Sequence, residues 1–309
     1  MKRQLLTLLM TFCLLPLFAQ WVQVNSGLGN YPPTSMFAFA DTIVLGTYGG
    51  GVFRTLDNGD NWVDVNGDLG SLNVKDVRYG PASQVIFVAT ADGPYFTQDL
   101  SHYENCTSTG LTNTDINYFW FGGDDDNEWA VGTNGGGVFA SPDYSGPWTA
   151  RNAGVSGNGL IVNDMGGYSD NSIDYVVMGT DNGMYYSTDN LMTWTEKNNG
   201  LTGDALLVNK LAGLGSMVII ATDNGLFMSY DSGDTWTELI AGERFNTVIV
   251  FQSALSSTGF YCFAFGENGY YSEDFFSYSP VNLGGLSGSE ITCVAANSTH
   301  MFLGKTISD

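Results

Sequence analysis

An all-β propeller is the fold this sequence predicts, and three observations predict it. Short β-branched or aromatic segments are bounded by turn residues, one unit of such segments recurs with a near-constant period, and helical patterning of useful length is absent after residue 19. Val218-Ile219-Ile220-Ala221 and Leu226-Phe227-Met228 flank Asp223-Asn224-Gly225, a pairing of strands and turn that suits a tight hairpin. The full unit reads Val44-Leu45-Gly46-Thr47, Gly49-Gly50-Gly51, Val52-Phe53-Arg54-Thr55, then Leu56-Asp57-Asn58-Gly59-Asp60-Asn61-Trp62. It returns at 131–148, 178–194 and 220–236, and in weaker form at 88–104 and 264–279. With the aspartate as anchor, the copies fall at Asp57, Asp99, Asp143, Asp189, Asp231 and Asp274, separated by 42, 44, 46, 42 and 43 residues. One such period holds four short strands, the content of one propeller blade, and the lack of helical patterning excludes a helical solenoid.

Six anchors close six blades, expected over 34–66, 73–107, 115–152, 160–198, 206–240 and 246–282. A seventh begins with Ile291-Thr292-Cys293-Val294-Ala295 and Met301-Phe302-Leu303-Gly304. At the other end, Trp21-Val22-Gln23-Val24-Asn25-Ser26-Gly27-Leu28 copies the fourth strand and exit of a blade, as in Trp194 to Leu201. A seven-bladed propeller of four-stranded antiparallel blades is therefore expected, closed by the amino-terminal strand, which would hide two sheet edges. The third strand of the last blade would be missing or reduced to Thr306-Ile307-Ser308-Asp309. Of a short blade and a fragment of a longer protein, the fragment is expected.

The turn resembles that of the Asp-box, or BNR, repeat family, Ser/Thr-x-Asp-x-Gly-x-x-Trp. Thr55 to Trp62 and Ser229 to Trp236 match in full; Ser141 to Trp148 and Ser187 to Trp194 match except at Gly; the Asp99 and Asp274 copies keep the aspartate and have Glu104 and Ser279 in place of Trp. The resemblance covers essentially all of 20–309 and implies that the turn joins the third and fourth strands of each blade. Its chemistry agrees: an Asp side chain accepts N–H bonds from its own turn, Gly admits positive φ, and Trp packs between sheets. Asp57, Trp62, Asp99, Asp143, Trp148, Asp189, Trp194, Asp231, Trp236 and Asp274 are thus expected to be scaffold and not catalytic groups.

The chain opens with Met1, Lys2 and Arg3, an apolar run from Leu5 to Phe18, and Ala19-Gln20, so 1–19 reads as a signal peptide and the product as secreted or cell-surface, with a periplasmic location also open. That run is too short to span a bilayer, and no later one is longer. Removal of Lys2 and Arg3 takes the net charge from -22 to -24, which repels nucleic acid and anionic membranes. Apolar residues at 43% can bury a large core, so the chain folds. Cys106, Cys262 and Cys293 lack metal-type spacing; one disulfide, Cys262 with Cys293, and three buried free thiols are both open.

Sialidases belong to the family resembled, and they hold a substrate carboxylate with three arginines on different blades. Only Arg54, Arg78, Arg151 and Arg244 lie beyond the signal peptide, and of these only Arg78 falls on an expected inner strand, so sialidase activity is not expected. The xyloglucan-hydrolase type places two acids across a cleft between two propellers; one propeller is read here, with no marked carboxylate pair. Where the inner strands begin, the aligned residues are Ser35, Asp76, Asp115, Asp164, Lys210, Asn246 and Glu290. The acids Asp76, Asp115, Asp164 and Glu290 would then ring one mouth of the central channel as a cation or polar-ligand site. Repeats sharing a polar loop-end residue would give the same pattern. Asp124-Asp125-Asp126 with Glu128 lacks the alternating spacing of a calcium loop and reads as a solvated turn. Tyr118 and Trp120 suit sugar stacking or blade packing, and His102 and His300 are isolated.

The reading is an exported, non-catalytic, monomeric scaffold for an unidentified protein or glycan ligand, with no cofactor and no resident metal. Its alternative is a carbohydrate-active glycoside hydrolase lacking a carboxy-terminal part. Sortilin-type ectodomains and photosystem II assembly factors are resembled as much as sialidases.

Overall fold

A computed structural model describes residues 21–39, 41–81, 83–122, 128–170, 173–252, 259–286, 289–297 and 299–306. The expected signal peptide, the acidic tip at Asp124, Asp125 and Asp126, and residues Ile307, Ser308 and Asp309 lie outside them. Six four-stranded antiparallel sheets follow one another over 33–64, 74–105, 116–150, 162–196, 208–241 and 245–280, here blades 1 to 6. Strands pair in chain order within each blade, and the first strands of successive blades lie against one another around a common axis. The only helices among the described residues are single 3-10 turns at Gly157–Leu160, Gly203–Leu206 and Gly284–Leu286.

Burial explains why the second and third strands read as unbroken apolar runs. Met217–Thr222 and Gly225–Ser229 are buried almost throughout, because a blade is covered on both faces by its neighbours. Fourth strands such as Val63–Asp64 and Thr195–Glu196 are two residues long and exposed, which keeps the outer edges short. The turn from second to third strand is clamped by one device: Thr47, Thr90, Thr133, Thr180 and Thr222 each donate Oγ1 to the carbonyl of Gly51, Gly93, Gly137, Gly183 or Gly225 at 2.7–2.8 Å. The core is divided into clusters between neighbouring sheets. Phe87 of blade 2 meets Phe119 and Trp129 of blade 3, and Val177 and Tyr186 of blade 4 meet Val218 and Phe227 of blade 5.

Two expectations are corrected. Among the described residues there are six four-stranded blades and not seven, and the last sector is a hairpin, Ile291–Ala296 paired with Met301–Lys305. This terminal hairpin sits between blades 6 and 1: Ile291 packs with Phe265 and Leu283 on one side, Cys293 and Phe302 with Ile43, Phe53 and Trp62 on the other. Nor does an amino-terminal strand close a sheet, since residues 21–25 form no strand. Among the described residues no third strand lies outside Met301–Lys305, so the amino-terminal segment has no neighbouring edge with which to pair. It is held instead by side chains: Trp21 Nε1 donates to the Asn282 carbonyl at 2.9 Å, and Trp62 donates Nε1 to Val24 O at 2.7 Å and its backbone N–H to Ser26 O at 2.8 Å. The Cys262–Cys293 option is also settled against, because the two thiols lie in different clusters; all three cysteines are free and buried.

Candidate functional site at the channel mouth

The recurring aspartates join third to fourth strands, and their oxygens are taken up by their own turns. Asp57 Oδ1 accepts from Thr55 Oγ1 at 2.6 Å and Asn61 N at 2.9 Å, while Oδ2 accepts from Asn61 Nδ2 at 2.9 Å. Asp189 and Asp231 repeat this with Ser187 and Thr193, and with Ser229 and Thr235. Asp99, Asp143 and Asp274 accept backbone N–H groups two residues on, at Ser101, Ser145 and Phe276. Hydrogen bonds from Thr55 and Asn61 bring the Asp57 carboxyl down to about 2, and backbone N–H groups bring Asp99 and Asp274 to about 2. Gly59 and Gly233 supply positive φ of 96° and 84° in two turns. Where glycine is absent, Leu191 takes φ 62° and offsets that strain by burying its side chain against Trp194. Each turn tryptophan reaches back one blade: Trp148 Nε1 donates to Thr107 O, Trp194 to Arg151 O and Trp236 to Lys197 O, at 2.8–3.0 Å.

The opposite ends of the inner strands carry the polar mouth. Each inner strand has a register irregularity after its first residue, as between Val74 and Asp76, Val162 and Asp164, and Val208 and Lys210. The residue at that irregularity reaches the next sector. Thr34 donates to Val74 O, Asn117 to Val162 O, Asn163 to Val208 O, Asn209 to Phe245 O, Asn246 to Ile291 O and Thr292 to Pro33 O, all within 2.8–3.0 Å. In the second blade Lys75 Nζ takes this place, donating to Asn117 Oδ1 at 2.9 Å and pairing with Asp115. A belt of side chains thus runs around the whole ring, the terminal hairpin included.

Inside this belt, Asp76 and Asp164 come together with two cations. Asp76 is 3% exposed, accepts from Ser35 Oγ at 2.8 Å and is bound by Arg78 Nε at 2.7 Å. Asp164 is 1% exposed, accepts the backbone N–H groups of Met165 at 3.0 Å and Leu211 at 2.8 Å, and lies 3.8 Å from Arg78 and 3.5 Å from Lys210. Burial pushes the Asp76 carboxyl up, but the charges of Arg78 and Lys210 and the Ser35 hydroxyl outweigh it and hold it below the usual carboxylate range. Both cations cover Tyr118, with Arg78 3.8 Å and Lys210 4.9 Å from the ring centroid, and burial pushes the phenol well up.

The other two acids of the expected ring stand apart. Asp115 pairs with Lys75 and accepts from Asn134 Nδ2 at 2.7 Å; Glu290 accepts from Arg244 at 3.0 Å and Asn246 at 3.1 Å. No group of three or more His, Cys, Asp or Glu side chains able to hold a metal exists among the described residues. Tyr118 and Trp120 are 3% and 8% exposed and pack with Met165 and Val176 in the next cluster. The mouth is therefore a charge-balanced polar lining. It can offer hydrogen bonds to a ligand, and both buried acids are already ion-paired. On the same end of the molecule Tyr48, Leu72 and Tyr31 are 57%, 43% and 43% exposed on the connections of blades 1 and 2.

No family model matches the sequence, and no curated protein matches it. Solved structures share the fold. The extracellular domain of a B. thetaiotaomicron protein assigned as a one-component system superimposes with a TM-score of 0.71 at 16% identity, over 94% of this chain and 39% of that one. A GH74 enzyme of Niastella koreensis gives 0.64 at 15% identity, over 90% and 42%. YCF48 from Cyanidioschyzon merolae gives 0.61 at 12% identity, over 89% and 93%. At these identities the likeness establishes the β-propeller fold, and this chain spans about two fifths of the length of the first two.

Proposed function

We propose that this chain is an exported propeller scaffold that recognises a protein or glycan through the loops around the channel mouth and performs no reaction itself. The observation that carries this reading is the pairing of Asp76 and Asp164. A glycoside hydrolase needs one carboxyl kept protonated as acid and another left available as base or nucleophile. Here both buried carboxylates are held by Arg78, Lys210 and backbone N–H groups. The exposed aromatics Tyr48 and Tyr31 beside the mouth suit stacking on a sugar face or a partner side chain. An extracellular domain among the solved structures of this fold supports export, and no described helix is long and apolar enough to cross a membrane.

The test is to probe residues 20–309 on a glycan array and to incubate the same material with xyloglucan and sialylated oligosaccharides. Retention without release of reducing sugar is expected, with retention weakened in Tyr48→Ala. Hydrolysis that disappears in a folded Asp164→Asn variant would overturn the non-catalytic reading.

A further inference from the structure

A single exposed apolar side chain, such as Leu56 on the aspartate turn of blade 1, is ordinary on a protein surface. A contacting pair of exposed rings calls for a reason. Tyr230 of blade 5 and Phe276 of blade 6 are 45% and 66% exposed and stack across the blade boundary, with ring centroids 5.6 Å apart and planes 20° from parallel. The turns do not require these rings. Tyr230 stands between Ser229 and Asp231, whose side chains bond each other at 2.8 Å, and blade 6 has Glu273 in the same place. Nor does the core require them, because the junction of blades 5 and 6 is filled by a cluster that includes Met228, Val248 and Phe275 and neither exposed ring.

A carboxylate stands at the edge of this stack. Asp274 Oδ1 accepts the backbone N–H groups of Phe276 at 2.9 Å and Ser277 at 2.7 Å and the Ser272 hydroxyl at 3.0 Å. All three converge on one oxygen, so Oδ2 keeps accepting capacity, whereas both oxygens of Asp231 are taken up by Ser229 and Thr235. The N–H groups of Ser277 and Phe276 hold the Asp274 carboxyl at about 2, ionised at neutral pH. Partial burial and then the Asp274 charge push the Tyr230 phenol up, as a carboxylate beside the stack would. Among the described residues neither Asp231 nor Asp274 is paired with a cation, and Lys197 is taken by Asp234 at 2.6 Å.

We propose that Tyr230, Phe276 and Asp274 form a docking surface for an arginine side chain on a surface segment of a partner protein. A guanidinium meets both parts of the site at once, since its plane stacks on a ring face while the N–H groups in that plane donate to a carboxylate. A lysine ammonium is a point charge and gains less from the stack. A sugar needs several hydrogen-bonding groups around its ring, and the Asp231 carboxylate is already taken up by its own turn. An anionic partner or membrane is repelled by the net charge of -22. The surface belongs to the aspartate-turn end of the ring, so the proposal is independent of ligand recognition at the channel mouth.

The probe is a fluorescein-labelled peptide of four Gly-Arg repeats, titrated into residues 20–309 at about 0.15 M salt, where unspecific charge attraction is screened. Saturable binding by fluorescence anisotropy and new amide protection at 229–236 and 272–278 by hydrogen exchange are expected. Phe276→Ala and Tyr230→Ala should each weaken binding by about fivefold or more through loss of the stacked cation, with Tm close to that of the parent. Phe276→Tyr, which keeps a ring, and Leu56→Ala, on another turn, should bind as the parent does. The Gly-Lys peptide of the same length should bind about fivefold more weakly. Binding unchanged in both ring-to-alanine variants, equal binding of the lysine peptide, or protection confined to other segments overturns the proposal. So does tighter retention of a neutral oligosaccharide by the same residues, and so does a concentration-dependent dimer that protects 229–236 and 272–278 without peptide.

Discussion

At the scale of single residues, the same side-chain type does opposite things according to what surrounds it. Asp76 and Asp164 are buried charges, and a buried carboxylate is tolerated only where opposite charge and N–H donors replace water. Arg78, Lys210, Met165 N and Leu211 N provide these. The turn aspartates Asp57, Asp99, Asp189 and Asp231 are exposed and Asp274 is half-buried, and the carboxyls of these five are lowered by hydrogen bonds within one turn. Asp57, Asp99 and Asp274 sit at about 2, against an ordinary 3.8. A group whose folded value is depressed contributes stability above its unfolded value and loses that contribution as pH falls through the folded one. The Tm should therefore drop as pH is lowered from about 4 towards 2, over and above the effect of any other group. In Asp57→Asn that part of the slope vanishes, because an amide does not titrate; a Tm-against-pH curve as steep as that of the parent would show that the Asp57 turn does not bind the ionised carboxylate preferentially.

At the scale of elements, the repeat and its turns were legible because they are local. Hairpin glycines, apolar runs and the aspartate-to-tryptophan spacing all act within one blade, and the observed sheets fall within a few residues of the expected spans. The mouth was only partly legible, because it depends on register. Each inner strand's irregularity falls after its first residue, so Tyr118, and not Asp115, takes the position of Asp76 and Asp164. The belt was missed because it joins residues 36 to 45 apart, and 259 apart where the ring closes, through side chain and carbonyl. A signal existed: Asn117, Asn163 and Asn209 each follow Ile or Val at equal spacing. Asn209 donates to both Phe245 O and Asp223 Oδ1 at 2.8 Å. Asn209→Leu should cost about 1–3 kcal/mol in urea unfolding, since a partly buried carbonyl loses its donor. Combining it with Thr34→Val, on the far side of the ring, should give additive losses, as expected of sites that share no partner. A strongly non-additive pair would mean that the belt acts as one cooperative unit.

At the scale of the molecule, a propeller differs from an open repeat array in that its first and last sectors must meet, and among the described residues the meeting sector has the fewest strands. Blade 4, for example, is held by four strands, two inter-blade clusters and the indoles of Trp194 and Trp236 on its two sides. The terminal hairpin has two strands, and its outward face depends on the segment 21–28, which is joined by the indoles of Trp21 and Trp62 and one backbone bond. In nearest-neighbour terms the ring should open first where the sum of interface contributions is smallest. Native-state hydrogen exchange should accordingly show Ile291–Ala296 and Met301–Lys305 exchanging through a smaller opening free energy than Met217–Thr222 and Gly225–Ser229. Deleting 20–28 should lower that opening free energy further and extend fast exchange into blade 1, because Trp62 then loses Val24 O and Ser26 O together. Equal protection of hairpin and blade 5 would instead mean that the inner belt, through Asn246 to Ile291 and Thr292 to Pro33, is strong enough to make the ring open as a whole.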